Sequence, residues 1–179
     1  MKDTSLVRVN MNTCPLETLL EWAECYCEIW KEPPWNEDFW QPQEVIKDFK
    51  GLMLKPGSAA FLAVQDGMIA GFTLGYSVNR EELRVVAGNS MMDPLFVEYP
   101  RVFYIGELGV ALRYRGQKIS PPLTAALLNV AREFGLRAVV LRTHVKAYAA
   151  RCVYKKLAFT ELSVNDAKYP ERTYWLLKC

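Results

Sequence analysis

Tyr104-Ile-Gly-Glu-Leu-Gly-Val-Ala-Leu-Arg-Tyr-Arg-Gly-Gln-Lys-Ile-Ser-Pro-Pro-Leu123 decides how this chain is read. Arg101 to Arg113 has the apolar content of a long strand, and Gly116 marks a tight turn. Beyond it Leu123, Leu127, Val130, Ala131 and Phe134 recur at helical spacing, and Gly135 closes the helix. Strand, turn and helix in that order leave successive backbone N–H groups at a helix start. That is how a fold holds a pyrophosphate.

Working outward, Leu6 to Asn10 alternates as a first strand, and Thr13 to Lys31 has a helical stripe of Leu16, Leu19, Leu20, Ala23, Cys27 and Trp30. Pro33 and Pro34 exclude a helix, so Glu32 to Trp40 is a loop; Pro42 to Leu54 is a second helix, stopped by Lys55-Pro-Gly57. Ala59 to Tyr76 is a hairpin turned at Asp66-Gly67. Glu81 to Ala87 fits a short helix, and the rest of 79–100 reads as loop. Ala138 to Thr143 is a buried-type strand, Ala147 to Leu157 a helix, and Phe159–Val164 and Arg172–Leu177 two closing strands. The expected class is α/β (α+β): a mixed sheet covered by helices on both faces. With no repeat, linker or low-complexity segment, residues 1–179 are expected to form a single domain.

A net charge of +2, with basic residues scattered, argues against nucleic acid or an anionic membrane as partner. No leader or long apolar span is read in the chain. Cys14, Cys25, Cys27, Cys152 and Cys179 have no metal-ligand spacing and fit reduced thiols in the cytoplasm. His144, the one histidine, reads as a surface or satisfied side chain, and no metal is expected.

The element order and three motifs in register resemble the GNAT acyltransferase superfamily. Val64 to Phe72 is similar to its second and third strands, 104–120 to its fourth strand and coenzyme A loop, and Ala150 to Phe159 to its late helix and following strand. The resemblance implies a mostly antiparallel sheet of about six to seven strands, with the fourth splayed from the fifth. The family loop, Gln/Arg-x-x-Gly-x-Gly/Ala, reads here Arg115-Gly116-Gln117-Lys118-Ile119-Ser120. Lys118 stands where the family has its central glycine, Ala147 replaces an asparagine, and Leu157-Ala158-Phe159 replaces Leu-Gly-Phe. If φ is positive at Lys118, that residue carries a cost of about 1 kcal/mol. Ser120 is a good helix N-cap type, and Pro121-Pro122 point to a helix start at Pro122.

The resemblance assigns acetyl-CoA as co-substrate, held by Leu108 and Val110 on the strand and by Arg115, Gly116, Gln117, Lys118, Ile119 and Ser120 in the loop. Tyr154 matches the family tyrosine that protonates the thiolate, and its phenol pKa of about 10 suits that task. A plain core aromatic is the competing reading. Glu107 is the candidate base, with a strand-edge ion pair as the alternative. Trp35, Glu37 and Phe39 lie in the loop that borders the acceptor in the family, where aromatic walls and acids suit a cationic amine. Met91, Met92, Phe96 and Tyr99 fit a pocket cover or a homodimer contact. Two functions stand: an N-acetyltransferase acting on a small-molecule or peptide amine, or a decayed scaffold kept for binding.

Overall fold

Asp66 and Gly67 both take positive φ, 53° and 76°, and turn β2 (Ala59–Gln65) into β3 (Met68–Val78). This hairpin is the centre of a computed structural model that describes residues 4–88 and 93–179. Met91 and Met92 lie outside the described residues. β1 (Thr4–Arg8) pairs with β2, and β3 pairs with β4 (Val102–Val110). β5 (Ala138–His144), β6 (Thr160–Asn165) and β7 (Arg172–Lys178) complete a seven-stranded sheet of order β1-β2-β3-β4-β5-β7-β6. Every pair is antiparallel except β4–β5, as expected for this class.

Helices cover both faces. On one lie α1 (Leu16–Lys31), α2 (Pro42–Met53) and α3 (Arg80–Ala87), packed on Phe72, Leu74, Tyr76, Val102, Tyr104 and Val140. A short α4 (Asp93–Glu98) follows α3 and buries none of its residues. On the other face α5 (Ser120–Glu133) and α6 (Tyr148–Lys156) cover Phe103, Ile105, Val139, Leu141 and Trp175. The strands divide their residues between the faces with period two. β3 is buried almost throughout because both its faces are covered.

Several boundaries differ from those read in the sequence. The first strand is Thr4–Arg8, not 6–10. The first helix begins at Leu16 rather than Thr13, because Thr13 and Cys14 donate to the Asn10 carbonyl in a turn. The fourth strand stops at Val110, since Leu112–Tyr114 winds into a 3-10 turn. Asn79 and Glu82 form a reciprocal capping box that starts α3 at Arg80, and 93–98 is helical rather than loop. Ser120 is the first helical residue and caps nothing; Ile119 stands at the N-cap. A serine cap accepts from the N–H two or three residues on; Pro122 has none, and the Leu123 N–H bonds instead to the Ile119 carbonyl at 3.4 Å. Among the described residues no helix is long and apolar enough to cross a membrane.

Candidate active site

The site begins where the sheet comes apart. β4 and β5 pair only at Phe103–Val139, Tyr104–Val140 and Ile105–Leu141; beyond that the strands part. Ala111 N–H bonds to Ala70 O on β3, so by strand alternation Val110 and Leu108 turn their backbone groups the other way, into the gap. Arg115 Nε donates to the Val110 carbonyl at 3.1 Å.

A bulge aims the carboxylate. Between β3 and β4 the register slips, with Leu74 opposite Glu107 but Gly75 opposite Ile105, so Gly106 is an extra residue. Without it Glu107 would share the face of Phe103 and Ile105. With it Glu107 turns to the α1/α2 side. The bulge also needs Gly75, where a Cβ would lie 2.5 Å from the Phe103 ring. Glu107 is partly open to the cleft and makes no side-chain hydrogen bond among the described residues. Loss of hydration, then the Glu37 carboxylate, push its carboxyl up to about 8 against the opposing pull of Arg142 and Arg172.

A cleft of about 1470 Å³ runs past Glu107. At one end it is lined by Arg115, Gly116, Lys118, Ile119, Ser120, Tyr154 and Lys156, and at the other by Tyr26, Trp30, Trp35, Glu37, Phe39 and Asp48. Leu108 and Val110 line the middle. Of the catalytic, cofactor and acceptor residues assigned in the sequence, only Gln117 is absent from this lining; Phe96 and Tyr99, read as a pocket cover or dimer contact, do not line it either. The Gln117 side chain donates to the Arg113 carbonyl and accepts from Gln65, which turns it away from the cleft.

The turn at the first end takes Gly116 to φ 77° and Lys118 to φ 60°. The N–H groups of Gly116, Lys118, Ile119 and Ser120 have no hydrogen-bond partner among the described residues. Lys118 likewise makes no ion pair among the described residues, and free amides beside such a lysine form a cradle suited to a diphosphate. Arg115 is less free than the sequence implies, because its Nη1 lies 2.6 Å from Glu32 Oε2. Ala158 likewise stands at φ 65° where the family motif has glycine. Both substitutions therefore carry the left-handed penalty. Lys118→Gly is expected to raise stability by about 0.5–1 kcal/mol, or about 2 °C in Tm, after allowing for glycine's greater unfolded entropy. Thermal melting of the variant checks this, and a lower Tm would contradict it.

Tyr154 is 5% exposed and packs on Phe159 and Trp175 with centroids 6.0 Å away. Burial, then Tyr104 and Glu107, push its phenol above the ordinary value, while a hydrogen bond with Thr143 pulls the other way. The group stays protonated across the neutral range and faces the cleft as a donor.

Two links hold the 32–40 loop across the gap. Arg115–Glu32 is one. The other is Arg172, whose Nη2 lies 3.2 Å from Glu37 Oε1 and whose guanidinium carbon sits 4.4 Å from the Trp35 ring centre. Trp40 Nε1 donates to the second Glu37 oxygen at 2.8 Å. Phe39 is 64% exposed at the rim. His144 accepts from the Lys146 N–H through Nδ1 and meets Trp35 edge-on, so it is a satisfied side chain. Arg172, Tyr26 and Asp48 were not singled out in the sequence. Arg172 lies 135 residues from Glu37, and no local spacing connects them.

A split sheet, strand backbone turned into the split and a phosphate-type turn opening on one cleft together define an acyltransferase scaffold. Residues 16–159 match the Acetyltransferase (GNAT) family, and the chain belongs to it. It is 41% identical over 56 residues to N-alpha-acetyltransferase 30 of Schizosaccharomyces pombe, a match spanning 31% of this chain and 37% of that relative's length. The fold is similar to a GNAT-family acetyltransferase of Staphylococcus aureus Mu50 (TM-score 0.70, 15% identity, 98% and 99% of the two chains). It is also similar to the Salmonella typhimurium protein yncA, solved with its cofactor acetyl-CoA (TM-score 0.69, 13% identity, 98% and 93%).

Proposed function

We propose that the chain transfers the acetyl group of acetyl-CoA to a primary amine, either a small molecule or a peptide N-terminus. The acceptor attacks directly in a ternary complex, with no covalent enzyme intermediate. The observation that carries this is one continuous cleft joining the free amides of the 116–120 turn, the backbone of Leu108 and Val110, Glu107 and Tyr154. The amides of Gly116, Lys118, Ile119 and Ser120, with the Lys118 ammonium, would hold the diphosphate. Bound there, acetyl-CoA supplies an activated thioester. The Val110 N–H would polarise its carbonyl. Glu107 takes the proton from the attacking amine, and Tyr154 gives one to the departing thiolate. Trp35, Glu37 and Phe39, with Tyr26 and Asp48, form an aromatic and acidic acceptor end that suits a cationic amine with an apolar body. We place the protein in the cytoplasm, in keeping with its unpaired cysteines.

A second reading, a binding protein without catalysis, is favoured by the strained Lys118 and by the engagement of Arg115 with Glu32. Calorimetric titration with acetyl-CoA separates the two. A micromolar Kd is expected, weakened about tenfold by Lys118→Glu, which reverses a charge beside the diphosphate. Binding should be followed by turnover of apolar amines in a panel of acceptors. No binding at millimolar acetyl-CoA would leave only the second reading.

A further inference from the structure

We propose that Gln65, outside the cleft, is a positioning residue for the acyl-donor cradle and acts through Gln117. The inference rests on the cradle assigned above. Gln65 ends β2 and is 2% exposed. A buried amide is stable only when its polar atoms are paired. Thr4 Oγ1 donates to Gln65 Oε1 at 3.0 Å, and Gln65 Nε2 donates to Gln117 Oε1 at 3.1 Å. Gln117 continues the chain: its Nε2 donates to the Arg113 carbonyl at 3.3 Å and its backbone N–H to the Tyr114 carbonyl at 3.4 Å.

Gln117 stands between Gly116 and Lys118, the two positive-φ residues of the turn. One of these is strained. Arg115 ties the start of the turn to the Val110 carbonyl and Glu32, and Ile119 is buried at its end. The side chain of Gln117 is what holds the stretch between the two positive-φ residues. The helix start has no side-chain cap, and Pro121 and Pro122 contribute no N–H. The amide chain from Thr4 therefore anchors the turn to the β1–β2 edge of the sheet. It does so from the side opposite the cleft, so the amides of Gly116, Lys118 and Ile119 keep their direction without using any group the ligand needs. A residue read in the sequence as a cofactor contact is thus the anchor of the residues that make contact.

The test is acetyl-CoA binding by calorimetry on the full chain, with Tm and steady-state kinetics alongside. Gln117 is exposed, so Gln117→Leu should fold. It is expected to raise the acetyl-CoA Kd and KM about tenfold, with the acceptor KM unchanged. Gln65→Leu should do the same, and the double variant should bind no worse than either single one. Wild-type binding with an unchanged Kd in Gln117→Leu would overturn the inference while leaving the cradle standing. So would additive losses in the double variant, or a fall in Tm without a change in Kd. Absence of binding by the wild type would overturn the cradle and, with it, this role.

Discussion

Glu107→Gln is expected to lower kcat/KM by about a hundred- to a thousandfold, the usual loss when a positioned base is removed. The pH profile gives the sharper result. With its carboxyl pushed up to about 8, wild-type Glu107 is mostly protonated at pH 7 and can serve as the proposed base only as pH rises. Activity should therefore climb through pH 8 rather than level off by about 6, where an ordinary glutamate is almost fully ionised. An acceptor whose amine titrates well below 7 isolates this limb, because its own protonation no longer contributes. The limb should vanish in Glu107→Gln. An unchanged profile in the variant would remove Glu107 from the base role.

The same carboxyl makes a stability prediction of definite sign. The folded state holds the proton up to about pH 8, whereas the unfolded chain loses it near 4.5. Between those values the folded state binds more protons, so this group's contribution to stability falls as pH rises. It is flat above 8. Cleft water reaches the carboxyl and reduces the effect, leaving about 2 kcal/mol. Glu107→Gln should accordingly be more stable than wild type at pH 8 and nearly equal to it at pH 4.5. Glu161 and Asp166 work in the opposite direction at lower pH. Burial raises both, but Thr173 and Arg151 bond to the first and Tyr174 and Arg142 to the second, and their carboxyls end below the usual range. Their contributions are lost only in acid, so the two windows do not overlap.

Local chemistry made much of this fold readable. Asp66-Gly67 specified its hairpin because both positions need positive φ, and the Leu123-to-Phe134 stripe marked a helix whose inner face is covered by the sheet. Helical and strand periods report only which residues are buried, so they miss what acts across the sheet. The bulge at Gly106 inverts the face of Glu107, and a period-two reading of β4 would have put that carboxylate on the wrong side. The ties from Glu32 to Arg115 and from Glu37 to Arg172 join residues that meet only when the strands are in place. The Asn79–Glu82 box, by contrast, was present as a local signal and marks α3 one residue earlier than periodicity did. Gln117 fell within a motif whose spacing names positions and not directions; its side chain follows a buried partner on β2 instead.

Tyr154→Phe is the second large effect, with kcat expected to fall about a hundredfold. The substitution deletes one hydroxyl and keeps the ring that packs on Phe159 and Trp175, so the core retains its shape. Acetyl-CoA affinity should stay within twofold of wild type, because the proposed diphosphate cradle is built from the 116–120 amides and Lys118 and does not use the Tyr154 hydroxyl. The loss must fall on kcat, since the thiolate that needs the proton exists only after the carbon–sulfur bond begins to break. Burial raises the phenol well above neutral pH, so no loss of activity from its ionisation should intrude on the rise that Glu107 produces. In the proposed roles, a base pushed up to about 8 and an acid whose phenol is raised well above neutral leave a wide interval in which both are in the working state. That separation follows from their surroundings: Glu107 borders the cleft beside Glu37 and two arginines, while Tyr154 lies within the helical layer over β5 and β7. If Tyr154→Phe turned over at the wild-type rate, Tyr154 would be a packing residue. The proton for the thiolate would then come from water in the cleft.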